Sequence, residues 1–176
     1  WAMKYDLVDK DYSRYIELGK HKHKNPNSRK AKIFKRNQID VLWDIVNSNE
    51  YYQVILMLIY TGVRISELLD LKLEDIYLEE QYFDVIESKT EAGVRKVPIA
   101  DVILPFFKYW MDKTKCEYLI TKTNGERMLY SNFLNAYWKP IIQPLGWDQT
   151  PHHTRHTFVS LITEAEVQPT YIKLIV

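Results

Sequence analysis

The amino-acid sequence predicts a mainly α-helical protein that carries one small three-stranded antiparallel sheet. Apolar residues recur at helical spacing in several separate stretches, prolines stand near the starts of three of them, and β-branched and aromatic segments with turns between them occur in a single region. With 176 residues, of which 46% are apolar and 14% aromatic, the chain is large enough for one globular domain and an appendage.

Apolar patterns predict the helices of the N-terminal half. Residues 3–18 are typical of a short helix, and Asn37 is the predicted N-cap of the next one. The stretch 51–61 is almost wholly apolar, which predicts a buried helix that ends at Gly62. A short helix then follows, with its apolar positions at Ile65, Leu68 and Leu69.

Three short segments in the middle of the chain predict the strands of the sheet. They are Ile76–Leu78, Tyr82–Glu87 and Arg95–Ile99. Residues 88–94, which include a glycine, form the predicted hairpin loop between the second strand and the third.

Capping residues and prolines predict the remaining helices. One helix starts near Pro105, and Ser131 caps another. Thr150-Pro151 combines a cap residue with a proline at the first helical position, and Pro169 is predicted to open a last helix.

Basic residues are concentrated in one segment although the net charge is only +1. Residues 20–36 contain eight Lys or Arg and no acid, which is typical of an arm that contacts nucleic-acid phosphates. A solvated linker is the alternative interpretation. The candidate DNA-binding residues are Lys20, Lys22, Lys24, Arg29, Lys30, Lys32, Lys35 and Arg36.

Cysteine content and hydropathy exclude several classes of protein. The single cysteine, Cys116, allows neither an internal disulfide nor a Cys-x-x-Cys metal site. No apolar run reaches the roughly 18 residues of a membrane span, and no signal peptide is recognisable. We therefore expect a cytoplasmic protein with no membrane partner.

The first motif whose side chains could bind or act on a ligand is residues 61–69, Thr-Gly-Val-Arg-Ile-Ser-Glu-Leu-Leu. It places Arg64 just after a buried helix ends, and Glu67 lies three positions later on the same helical face. A positioned guanidinium matches two phosphate oxygens, and a nearby carboxylate can orient it. A surface ion pair is the alternative.

The second motif begins with Ser88-Lys89-Thr90 and continues through Arg95 to Val97-Pro98. A lysine on a hairpin can reach a substrate above the sheet and donate a proton to a departing oxygen if neighbouring cations lower its pKa. A solvated lysine on a loop is the alternative.

The third motif is residues 150–158, which contain three histidines within five positions. His152 and Arg155 are three apart near a helix N-terminus, whose unpaired N–H groups and positive dipole suit a phosphate. His152 and His156 have the spacing of a zinc pair, but the Glu of H-E-x-x-H is absent and there is no obvious third ligand. We therefore expect no metal.

The order of the three motifs resembles that of the tyrosine recombinase (phage integrase) family. The family patterns are T-G-[LV]-R-[IV]-S-E-L-L, S-K-T-x-x-G-x-R-x-V-P and P-H-x-x-R-H-T-F. The resemblance extends from about Lys35 to the C-terminus. It implies residues 1–19 as the end of a DNA-clamping domain, 20–36 as a basic linker and 37–176 as a tyrosine-recombinase-like catalytic domain.

The resemblance also implies a chemical role for each residue. Family members attack a DNA phosphodiester with a tyrosine, form a 3′-phosphotyrosyl link and release a 5′-hydroxyl, so neither a nucleotide nor another cofactor is needed. Arg64 and Arg155 are expected to bind the non-bridging oxygens. Lys89 is expected to protonate the leaving oxygen, His152 to assist proton transfer or bind the phosphate, and Glu67 to position part of the site.

The implied partner is double-stranded DNA, bound by a homo-tetramer in the complete protein, for integration and excision of a mobile element. The nucleophile is expected beyond Val176, because Tyr171 is too close to Arg155, and this chain alone is therefore expected not to cleave. A DNA-binding module without catalysis, a type IB topoisomerase-like enzyme or telomere resolvase, and a helical domain with accidental matches remain alternatives.

Overall fold

The computed structural model describes residues 32–86, 94–168 and 170, all of which belong to one compact unit, Ala31–Val176. Within these residues, seven α-helical segments accompany one three-stranded antiparallel sheet, which confirms the predicted fold class. The predicted helix over 3–18 and Pro169 lie outside the described residues.

The first two helices carry much of the core. Helix α1 (Arg36–Ile45) begins one residue before Asn37, so the prediction of Asn37 as N-cap was wrong. Gln38 explains the earlier start, because its side-chain Oε1 accepts the amide N–H of Lys35 at 3.0 Å. Helix α2 (Tyr51–Thr61) is buried over almost its whole length and ends at Gly62, as predicted.

The sheet is formed by β1 (Ile76–Tyr77), β2 (Tyr82–Val85) and β3 (Arg95–Pro98), in the order β1-β2-β3. Phe83 lies opposite Val97 in the register, and both are fully buried. Because side chains alternate across a strand, every second residue of β2 and β3 points into the core.

Helix α3 (Ile65–Leu69) follows Gly62, and α4 (Leu104–Lys113) has its proline in the first turn. Later, α5 (Tyr130–Asn132), a π-helical segment (Phe133–Trp138) and α6 (Lys139–Ile142) run on without a break. Pro140 gives a reason for the π-helical turn. It has no amide N–H, and its ring would clash with the fourth carbonyl before it in an unbroken α-helix.

Helix α7 (Pro151–Glu164) is capped by Thr150 and has Pro151 at its first position, as predicted. It packs against α2, and Phe158 of α7 lies against the end of α2 at Gly62. The starts of α3 and α7, which carry two of the three motifs, are thereby brought together. Among the described residues, no helix combines the length and apolar character needed to cross a membrane.

Candidate active site

A cleft of about 330 Å³ lies where the starts of α3, α5 and α7 meet. Three of the four predicted catalytic residues line it, namely Arg64, His152 and Arg155. The fourth, Lys89, lies outside the described residues. The remaining lining residues are Val63, Ile65, Ser66, Tyr130 and Pro151.

Arg155 is held in the cleft by the end of α2. Its Nη1 donates a hydrogen bond to the carbonyl oxygen of Gly62 at 2.9 Å. Burial lowers the pKa of Arg155, the charge of Arg64 lowers it further, and Glu67 opposes the change. An arginine nevertheless stays protonated at neutral pH, so Arg155 brings a fixed, partly desolvated cation to the cleft.

Arg64 is the N-cap residue of α3 and is held by Glu67 in two ways. The Arg64 amide N–H donates to Glu67 Oε2 at 2.8 Å, and Arg64 Nη1 donates to Glu67 Oε1 at 2.7 Å. The carboxylate is 5% exposed whereas the Arg64 side chain is 52% exposed. Glu67 therefore anchors Arg64 from beneath while leaving part of its guanidinium open to a ligand.

Arg95, at the start of β3, is a second cation on Glu67 that sequence analysis had not singled out as a site residue. Its Nη2 lies 2.9 Å from Glu67 Oε2, its Nη1 lies 3.3 Å from Oε1, and its side chain is 8% exposed. The sequence could have indicated that Arg95 is buried, because the alternation of side chains along β3 places Arg95 on the same face as the buried Val97. A cation on the core face of a strand requires a buried anionic partner.

The pKa of Glu67 reflects these contacts. Burial alone would raise this pKa, but the hydrogen bonds from Arg95 and from the backbone and side chain of Arg64 outweigh burial, and the pKa is lowered. Glu67 is therefore an anion at neutral pH, with two guanidinium groups as its partners.

The structure separates the roles of the histidines at the start of α7. His152 lines the cleft, whereas Nδ1 of His153 accepts the Thr150 amide N–H at 2.8 Å and completes the helix cap. The His152 ring also packs edge-on against His156 at a centroid distance of 4.6 Å. Burial, His156, Arg155 and Arg64 all lower the pKa of His152, which is thus neutral at pH 7 and able to accept a proton.

Tyr130 is a further cleft residue that sequence analysis did not identify. It is the first residue of α5 and is exposed. The only signal in the sequence is an aromatic residue directly before the predicted cap, Ser131, and such a residue is more often packed in the core.

Of the predicted DNA-binding residues, Lys20, Lys22, Lys24, Arg29 and Lys30 lie outside the described residues. Lys32 forms an ion pair with Asp148, and Arg36 forms one with Glu164 at 2.9 Å. Both pairs are exposed, so they hold these side chains only weakly.

The end of the basic segment is fixed to α7 through Phe34. Its ring is buried and makes edge-on contacts with Trp138 and Trp147. Its amide N–H donates to Thr157 Oγ1 at 2.8 Å. Residues just before α1 thus help to position the helix that carries His152 and Arg155.

Comparison with known proteins identifies the family to which this chain belongs. The profile of the phage integrase family matches residues 32–175, and the chain therefore belongs to this family. This confirms the resemblance inferred from the three motifs.

Individual relatives give the same picture. Over 183 residues the chain is 26% identical to the tyrosine recombinase XerD of Staphylococcus saprophyticus, covering 93% of this chain and 58% of that protein. A probable integrase/recombinase of Acholeplasma phage L2 is 28% identical over 120 residues, which are 67% of this chain and 41% of the phage protein. The chain thus spans about half the length of these relatives.

The fold is also that of a solved integrase. The structure of the Tn1549 transposon integrase in complex with transposon right end DNA matches with a TM-score of 0.78 and 21% identity. The match covers 97% of this chain and 64% of that chain. At this level of identity the similarity concerns the fold alone.

Proposed function

We propose that this chain forms the phosphate-binding part of a tyrosine recombinase active site and acts in site-specific cutting and rejoining of double-stranded DNA, for the integration and excision of a mobile element. The observation that carries the proposal is the convergence on one cleft of Arg64, from the first motif, with His152 and Arg155, from the third motif.

The charge of the cleft supports a phosphate ligand. Arg64, Arg155 and the buried Arg95 bring three positive charges to the neighbourhood of the Glu67 carboxylate. The charges of Arg64 and Arg155 lie beside the first turn of α7, whose helix dipole adds to them. Fixed cations in a partly desolvated site stabilise the negative charge that develops on a phosphorus under attack.

A second cavity, of about 200 Å³, does not suit this role. It also touches Glu67, but its lining includes four further carboxylates, which would repel a phosphate. These are Asp70, Glu74, Asp75 and Asp84. The basic cleft is therefore the better site for the scissile phosphate.

In the proposed reaction, a tyrosine oxygen attacks the phosphorus, the bond to the 5′-oxygen breaks, and a 3′-phosphotyrosyl link forms. Arg64 and Arg155 bind the non-bridging oxygens. Lys89 gives its proton to the departing 5′-oxygen, and neutral His152 accepts or shares a proton on the attacking side. Rejoining is the reverse reaction with a 5′-hydroxyl of a partner strand.

The basic segment 20–36 is proposed as an arm that contacts the DNA backbone next to this cleft. In the complete protein we propose a homo-tetramer on DNA. The hydrogen bond from the Phe34 amide N–H to Thr157 of α7 supports this role only for the described end of the segment, residues 32–36.

The experiment is cleavage of a nicked suicide substrate by the complete protein, with a covalent protein–DNA band on a denaturing gel as the readout. Arg64→Ala and Arg155→Ala should each reduce band formation on the order of 100-fold or more. Arg127→Ala is the matched control, because Arg127 pairs with Asp70 beside the acidic cavity and does not line the cleft.

Two further variants separate the possible nucleophiles. Tyr171→Phe and Tyr130→Phe should both retain the band if neither tyrosine attacks the DNA. Duplex binding without any covalent band would favour a DNA-binding module, and relaxation of supercoils without strand exchange would favour a topoisomerase. Equal bands from Arg64→Ala, Arg155→Ala and the unmodified protein would refute the assignment of the cleft.

A further inference from the structure

Among the described residues, Arg95 forms the most buried ion pair near the cleft, with Glu67. Its two terminal nitrogens face the two oxygens of Glu67 at 2.9 and 3.3 Å, and the side chains are 8% and 5% exposed. Planar two-point pairing of this kind fixes both partners in orientation as well as in position. The pair links the first residue of β3 to the first turn of α3.

The same carboxylate holds Arg64. Glu67 Oε1 accepts hydrogen bonds from both Arg64 Nη1 and Arg95 Nη1, and Oε2 accepts from the Arg64 amide N–H and Arg95 Nη2. Any movement of the Glu67 carboxylate would therefore move or release the Arg64 guanidinium. Arg95, which belongs to strand β3, limits this movement because it holds both carboxylate oxygens of Glu67.

We propose that Arg95 is a positioning residue for the phosphate site: it locks Glu67 so that Glu67 presents the Arg64 guanidinium to the ligand. This inference rests on the proposed function and assigns a task to a residue that does not line the cleft. Direct binding of the ligand by Arg95 is disfavoured, because its side chain is almost wholly buried and both terminal nitrogens are directed at Glu67.

The two arginines on Glu67 differ in exposure. The side chain of Arg95 is enclosed, whereas the side chain of Arg64 is half-exposed. Of the two guanidinium groups, that of Arg64 is therefore the one that a ligand can reach.

The first arm of the test measures the Glu67 carboxyl by NMR titration and needs no DNA. Arg95→Met should move the pKa of Glu67 upward toward the ordinary value for a glutamate, because burial then acts with fewer opposing hydrogen bonds. Arg127→Met is the matched control, since it removes a guanidinium that pairs with Asp70 rather than Glu67. It should leave the titration of Glu67 unchanged.

The second arm measures the binding of inorganic phosphate through the side-chain N–H signals of Arg64 and Arg155. Arg95→Met should weaken phosphate binding about tenfold although Arg95 lies outside the cleft. Arg95→Lys should restore only part of the loss, because an ammonium keeps the charge but not the two-point geometry. If Arg95→Met does not fold, both the Glu67 titration and the phosphate-binding measurement are made on Arg95→Lys.

A double-mutant cycle separates positioning from a through-space charge effect. If Arg95 acts through Glu67, replacing Arg95 should have little further effect in the Glu67→Gln background. The same loss of phosphate binding in both backgrounds, or an unchanged Glu67 titration in Arg95→Met, would overturn the proposal. Absence of phosphate binding by the unmodified protein would count against the proposed function instead, while the titration would still decide the role of Arg95.

Discussion

The guanidinium of Arg155 donates a hydrogen bond to the carbonyl oxygen of Gly62 at 2.9 Å, across 93 positions of sequence. The carbonyl is available because Gly62 adopts a left-handed conformation, with φ +68°, at the C-terminus of α2. Arg64 follows two residues later, so the contact sets the relative positions of the two arginines proposed to bind phosphate.

Gly62 is predicted to tolerate no side chain. An alanine Cβ would lie 2.2 Å from Cδ1 of Phe158, in addition to the strain of a left-handed alanine. Gly62→Ala should therefore lower the free energy of unfolding by about 2–4 kcal/mol, through strain and overpacking together. Urea denaturation measures the change.

Gly146→Ala is the control for this prediction. Gly146 also caps a helical turn in a left-handed conformation, with φ +71°, but nothing lies within 4 Å of its added Cβ. This variant should lose only about 1–2 kcal/mol. Equal losses from the two variants would show that the contact with Phe158 is unimportant.

Thr157 is predicted to anchor the end of the basic segment. Its hydroxyl oxygen accepts the amide N–H of Phe34 and donates to the carbonyl of His153. Thr157→Val keeps the shape but leaves the buried Phe34 N–H without an acceptor, which should cost about 1–3 kcal/mol of stability. Thr163→Val on the same helix should change the stability by no more than about 0.5 kcal/mol, because Thr163 is exposed and bonds only to the carbonyl of Val159. Thermal unfolding of both variants compares them directly.

The histidine cap of α7 predicts loss of stability under mild acid. Burial first, and then the neighbouring charges of His156, Lys32 and His152, lower the pKa of His153, with Asp148 opposing them. Protonation would block Nδ1, which accepts the Thr150 N–H. The pKa of His153 in the folded state is below its unfolded value of about 6.5. The contribution of neutral His153 to the free energy of unfolding is therefore fully present above pH 6.5 and is lost as the pH falls through the folded-state pKa.

His153→Gln tests this pH dependence. A glutamine at the same position can complete the capping box without titrating, so the variant should lose less stability between pH 7.5 and 5, chosen as a window around the ordinary histidine pKa of about 6.5. His152 has a lowered pKa as well and should maintain a residual slope. His153→Ala should be less stable than the unmodified protein by about 1 kcal/mol above the ordinary histidine pKa, and this difference should shrink as the pH falls. A pH profile in His153→Gln identical to that of the unmodified protein would contradict the prediction.

If the basic segment contacts DNA phosphates, replacing its lysines should reduce the salt dependence of DNA binding, and by different amounts for Lys35 and Lys32. Lys35 has no ion pair within the described part of the chain, whereas the ammonium of Lys32 already faces Asp148. Lys35→Ala should reduce the slope of log affinity against log salt by up to about 0.9, the value for one phosphate contact. Lys32→Ala should reduce it less. Anisotropy titrations with a duplex at several salt concentrations give the slopes, and unchanged slopes in both variants would mean that this part of the segment is a spacer.

Local signals in the sequence were enough to predict most helices and strands and the family. The apolar run 51–61 with Gly62 fixed α2 and its end, and Thr150-Pro151 fixed the start of α7, because burial, glycine conformation and proline geometry act locally. Motif order then predicted Arg64, His152 and Arg155 as one site, although nothing in a linear pattern says how close they are.

The neighbours of these residues became apparent from the tertiary structure. The packing of α7 on α2 brought Arg155 to Gly62, and the closing of β3 against α3 brought Arg95 to Glu67. It also placed His152 in the cleft and committed His153 to the helix cap, a choice that two adjacent histidines leave open in sequence. The physical reason is that a buried guanidinium or imidazole takes its orientation and its pKa from groups that are distant in the chain and adjacent only after the core has formed.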